Sequence, residues 1–131
     1  MTTIRLRRSD QFGIHLEFDT AGAAAILHSL KAAANWGENS ILIQFDRGVT
    51  KRKRYPKMTK RNMAILQAQE DGIAEVGDDV RLMFQEDTIA YAMSKFQECL
   101  ETNEFEPPEV CELLIMGGRH ADNDLYCILL K

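Results

Sequence analysis

Apolar and polar side chains alternate from Ile4 to Arg8, and again more regularly from Phe12 to Phe18. In the second run Phe12, Ile14, Leu16 and Phe18 share one side and His15 and Glu17 the other, the period of two expected of a half-buried strand. Ser9-Asp10-Gln11 between the runs reads as a turn. The period then changes. Ala23, Ile26, Leu27, Leu30, Ala33 and Ala34 recur at three- and four-residue steps, which predicts a helix with one apolar stripe. Asp19 or Thr20 is placed to cap its first turn, and Gly37 to stop it. Alternation resumes at Ile41, Ile43 and Phe45.

The second half repeats this order. Val80 to Phe84 reads as a strand, and Glu86-Asp87 puts acids where a helix start favours them. Ile89, Met93, Phe96 and Leu100, with Ala92 and Cys99 beside them, form a second helical stripe. Pro107-Pro108 forbids its continuation. Val110–Met116 and Leu125–Leu130 follow as strands, joined by a loop that begins at Gly117-Gly118. The middle is ambiguous. Segment 62–69 suits a helix or a strand, and the turn signal at Glu70-Asp71-Gly72 favours a hairpin with 73–76. The expected fold is therefore α+β: a mostly antiparallel sheet with two helices on one face, built from a twice-repeated strand–helix–strand pattern.

Length and composition fit that picture. At 131 residues, 45% hydrophobic and 27% charged, the chain is the size of one domain (1–131) and can bury a core without metal or disulfide. The first residues carry bases with no apolar stretch behind them, unlike a secretory signal. The run from Thr20 to Leu30 is too short to span a bilayer. Cysteines 99, 111 and 127 are odd in number and lack CxxC spacing, which suits buried thiols in a cytoplasmic protein.

Charge is divided unevenly. Residues 1–61 hold 12 basic and 5 acidic side chains, a formal +7, while residues 62–131 hold 4 and 15, a formal −11. Such asymmetry points to recognition of a charged partner. The basic run Lys51, Arg52, Lys53, Arg54, Tyr55 can track phosphates with Tyr55 available to stack, although runs of this kind are ordinarily solvated. The acidic set is Asp78, Asp79, Glu86, Asp87, Glu98, Glu101, Glu104, Glu106, Glu109 and Glu112, with Asp78, Asp79, Glu98, Glu101, Glu104 and Glu106 as the candidate contacts. Glu98 and Glu101 share a helical face near a helix end, where acids are unfavourable, so a cationic partner would account for them. Arg119 and His120 stand in a polar loop, Gly117 to Asp124, that lacks the spacing of a calcium loop. Trp36 is a candidate interface anchor, with Tyr91 and Phe105 beside it.

No GxSxG, HExxH, Walker A or GxGxxG motif is present, so no catalytic or metal-ligating residue and no cofactor is expected. The chain resembles immunity proteins of bacterial polymorphic toxin systems, in its small acidic α+β character and in the segment LEFDTAGAAAILHSL. That resemblance implies a non-enzymatic protein that binds and inhibits a cognate toxin, commonly a basic one, or another secreted effector. The paired strand–helix–strand order also resembles sliding-clamp domains, which implies a nucleic-acid-associated module acting through 51–61. A membrane partner is not expected, and oligomeric state is not legible.

Overall fold

The strands of this chain bury mainly one face, and the fold follows from where those faces meet. The computed structural model describes residues 2–9, 13–46, 58–116 and 122–131. Among these residues are strands β1 (Ile4–Ser9), β2 (Gly13–Phe18), β3 (Ile41–Asp46), β4 (Thr59–Gln67), β5 (Gly72–Val76), β6 (Asp79–Phe84), β7 (Glu109–Ile115) and β8 (Asp122–Leu129). Helix α1 spans Thr20–Ala34 and helix α2 spans Glu86–Thr102.

The strands form a closed barrel in the order β1-β2-β8-β7-β5-β6-β4-β3. This corrects the expected sheet. Antiparallel hairpins (β1–β2, β3–β4, β5–β6, β7–β8) alternate around the ring with parallel contacts (β1–β3, β2–β8, β4–β6, β5–β7). Each half of the chain is a hairpin, a helix and a hairpin. The first half leaves β2 and β4 as edges, and the second leaves β8 and β6. Pairing β2 with β8 and β4 with β6 satisfies all four edges, which an open sheet would leave exposed. Segment 62–69 is strand through Gln67, but it makes no hairpin with 73–76. β4 runs parallel to β6, and β5 pairs with β6 and β7.

The β5–β6 turn at Gly77-Asp78 marks one end of the barrel, the hairpin end, and both helices lie at the other. Leu6, Leu16, Phe45, Met63, Ile65, Ile73, Leu82, Leu113 and Leu125 fill the interior. Ala23, Ile26, Leu27, Leu30 and Ala33 of α1 cover the helix end together with Ile89, Ala92, Met93, Phe96 and Cys99 of α2. These two sets have the same spacing along their helices. At the hairpin end the interior closes with charge: Arg8 of β1 bonds Glu75 of β5 at 2.9 Å, between strands on opposite sides of the ring.

Local chemistry anchors the helices. The Asp19 carboxylate accepts from the backbone N–H of Gly22 (2.7 Å) and of Thr3 (3.1 Å), tying the start of α1 to β1. A Cβ on Gly22 would stand 2.5 Å from the Thr3 carbonyl oxygen, so only glycine permits this approach. Gln85, at the start of α2, makes no side-chain cap. Asp71 takes that role from the β4–β5 turn, accepting from the Gln85 N–H (2.7 Å) and the Thr88 hydroxyl (2.8 Å). The end of α1 also departs from expectation: the left-handed residue is Trp36 (φ +57°), not Gly37. The Gly37 N–H donates to the Ala32 carbonyl (2.7 Å) and the Trp36 N–H to that of Ala33 (3.1 Å), a Schellman turn with tryptophan where glycine is usual.

Burial pushes the Asp19 carboxyl up, but the Thr3 and Gly22 N–H groups outweigh it and hold it below its ordinary value of 3.8. Its contribution is therefore complete above that value and is lost as pH falls through the lower folded value. Asp19→Ala should cost about 1 kcal/mol at neutral pH in urea unfolding, and the gap between variant and wild type should close below about pH 4.

Candidate protein-binding surface

An amphipathic helix that covers a barrel end buries one stripe and offers the other to solvent. On α2 the outward stripe is Asp87, Tyr91, Ser94, Glu98 and Glu101, all exposed. Glu104, Glu106 and Glu109 continue it beyond the helix and are also exposed. Among the described residues no cation lies within ion-pair distance of Glu98, Glu101, Glu104, Glu106 or Glu109. The outward face of α1 is different: Ala21, Ala24 and Ala34 with His28 and Lys31. The helix layer thus carries a nearly uncharged strip beside an acidic one.

The acidic segment after α2 is held in place by a buried lysine. Lys95, 8% exposed, donates from Nζ to the Glu106 carbonyl and lies 5.3 Å from the centre of the Phe105 ring. Phe105 packs edge-on against Phe18 and Phe96, with centroids 5.8 and 5.0 Å away. Between this segment and the end of β8 runs a groove of about 410 Å³ with Glu104, Glu106 and Lys131 on its rim. Pro108, Ile128 and Leu129 give it an apolar lining. A rim of two carboxylates and one lysine around an apolar floor suits a partner surface in which mostly basic residues surround an apolar one.

The residues singled out from the sequence do not form one site. Glu98, Glu101, Glu104 and Glu106 gather as described. Asp78 and Asp79 lie at the β5–β6 turn, at the barrel end away from α2 and roughly 20 Å along β6. Asp78 is paired with Arg61 at 2.6 Å. Asp79 shares a shallow groove on the barrel wall with Asn62 and Arg81. Trp36, 73% exposed, stands at the end of α1 beside the start of α2. Phe105 belongs to the core and is no surface anchor, whereas Tyr91 is 42% exposed. Arg119 and His120, and Lys51, Arg52, Lys53, Arg54 and Tyr55, lie outside the described residues.

Sequence reasoning missed Lys95 and the groove floor. The outward stripe was legible in the spacing of Asp87, Tyr91, Ser94 and Glu98. The floor was not, because Pro108 and Leu129 meet only through the pairing of β7 with β8.

The cysteines face inward. Burial pushes the Cys111 thiol up to about 12, with Asp71, Asp124 and Glu112 adding to the effect. Burial also raises Cys99, against the opposing charge of Lys95, and raises Cys127. Thiolate, the reactive form, is therefore scarce at neutral pH. No helix among the described residues is long and apolar enough to cross a membrane. Comparison with protein-family models, curated proteins and solved structures found no match.

Two outcomes follow from this geometry. Lys95→Met keeps the apolar stem and removes the donor, so it should cost about 1–3 kcal/mol in urea unfolding and speed amide exchange over 104–108. The thiols of Cys99, Cys111 and Cys127 should resist an aromatic disulfide reagent at pH 8 in the native protein and react at once in denaturant.

Proposed function

We propose that this chain is a small cytoplasmic protein-binding module that acts as an immunity protein, holding and blocking a basic toxin through the acidic surface of α2 and 104–109. The observation that carries this reading is the row Glu98, Glu101, Glu104, Glu106 and Glu109, exposed and without intramolecular cations among the described residues. Unpaired like charges destabilise a helix end, where the dipole also opposes them. A cationic partner turns that cost into attraction. Complementary charge mainly accelerates encounter and rejects wrong partners, while the apolar groove floor supplies contact area. Among the described residues the barrel leaves no free sheet edge to rearrange on binding.

Binding of nucleic acid has less support among the described residues. Arg5 and Arg7 flank Glu17 at 3.9 and 3.8 Å. Arg8 and Arg61 are bonded to Glu75 and Asp78. Arginines engaged in this way have fewer donors to offer a phosphate.

The test is capture from extracts of the native cell on the immobilised protein, followed by stopped-flow association with the purified partner. A basic protein should be retained by wild type, and its activity should be inhibited. Replacing Glu98, Glu101, Glu104 and Glu106 by glutamine should slow association about tenfold at low salt and leave dissociation nearly unchanged. Association that is equally fast at low and high salt, or retention of nucleic acid in place of a protein, would refute the proposal.

A further inference from the structure

We infer that the cleft between the end of α1 and the start of α2 is a receptor for one cationic side chain, an arginine or lysine, presented by the partner. This rests on the reading of the chain as a binder of a basic protein, and adds a second, separate point of contact.

Trp36 is the one tryptophan of the chain and is 73% exposed. It lines a cleft of about 670 Å³ with Gln67, Gln69, Gln85, Glu86 and Asp87. Among the described residues no cation lines this cleft, and neither Glu86 nor Asp87 is in an ion pair. The face of an indole is electron-rich and attracts a guanidinium or ammonium group. Carboxylates beside it add charge-assisted hydrogen bonds, and glutamine oxygens accept the remaining donors. The two carboxylates disfavour a further anion, since they already meet the partial positive charge of the α2 N-terminus. A purely apolar ligand would strip water from two carboxylates without compensation. The charge of the cleft therefore commits its occupant to a cation.

Glu86 and Asp87 have a structural role as well, because acids favour a helix start. That role does not account for Trp36. At the left-handed position of a Schellman turn glycine is the low-energy residue, and a side chain there costs about 1 kcal/mol. At 73% exposure the indole regains little of that by packing. The 17 residues of α2 place this cleft roughly 25 Å from the groove at Glu104 and Glu106. A partner that engages both must present basic side chains at two places that far apart.

Trp36 emission reads the cleft directly, since no other tryptophan contributes. The probes are a blocked arginine-rich hexapeptide, its lysine counterpart and its glutamine counterpart. The first two should give a saturable change that weakens with salt, and the third none. The double variant Glu86→Gln, Asp87→Asn should bind the arginine peptide about fivefold more weakly. Trp36→Gly, followed by calorimetry, should weaken it to a similar degree while raising the unfolding midpoint. An equal response to the glutamine peptide, or unchanged affinity in the double variant, would overturn the inference. So would an emission change that tracks protein concentration without peptide, since a second copy would then be the occupant. If the cleft fails while neutralising Glu98, Glu101, Glu104 and Glu106 still slows association with a basic protein, only the cleft is refuted. If the cleft responds while that association is unaffected, only the reading of the acidic surface falls.

Discussion

Barrel closure is the constraint on which the rest depends. Neither half of the chain can satisfy its own backbone, because each hairpin–helix–hairpin unit ends in two unpaired strands. The parallel contacts β2–β8 and β4–β6 remove all four edges at once. Closure also assigns every strand one inward face. Ile14, Leu16 and Phe18 of β2 point in together with Val80, Leu82 and Phe84 of β6, and the core becomes one continuous cluster. Charge is left with the outer wall and the two ends. Even the Arg8–Glu75 pair, which joins opposite strands, sits where the interior meets the hairpin end.

The two halves share a framework and differ in what they display. α1 and α2 bury apolar positions at the same spacing, yet α1 shows alanine outward and α2 shows carboxylates. Their anchors differ in the same way. Asp19 caps α1 and reaches back to β1, whereas α2 takes its cap from Asp71 in the turn before β5. One architecture thus carries two unlike surfaces, because the outward side of a capping helix contributes nothing to the core and is free to vary.

Lys95 links the core to the acidic surface. A buried ammonium is costly unless it is bonded, and here it is satisfied by a backbone carbonyl and an aromatic face. That arrangement holds the segment carrying Glu104 and Glu106 against α2, so the positions of these carboxylates depend on a residue that no partner needs to touch. Strain at Trp36 sits at the other end of the same helix pair and is confined to one exposed turn.

Most elements were legible in the sequence, β4 being the exception because 62–69 suits a helix as well as a strand. Period-two runs at 13–18, 41–45 and 80–84 are strands and the stripes at 23–33 and 89–99 are helices, because local side-chain periodicity is set by which face each element must bury. The unpaired acids of α2 were legible too, since their spacing alone places them on one side. Which strands pair was decided only by the tertiary structure. β1 beside β3, β2 beside β8 and β4 beside β6 are contacts between segments far apart in the chain, and the same alternation serves an open sheet as well as a closed barrel. The same holds for Asp78, whose apparent kinship with Glu98 disappears once β6 separates them. Hydrophobic pattern specifies what each segment buries; the need to leave no strand edge unpaired determines what it is buried against.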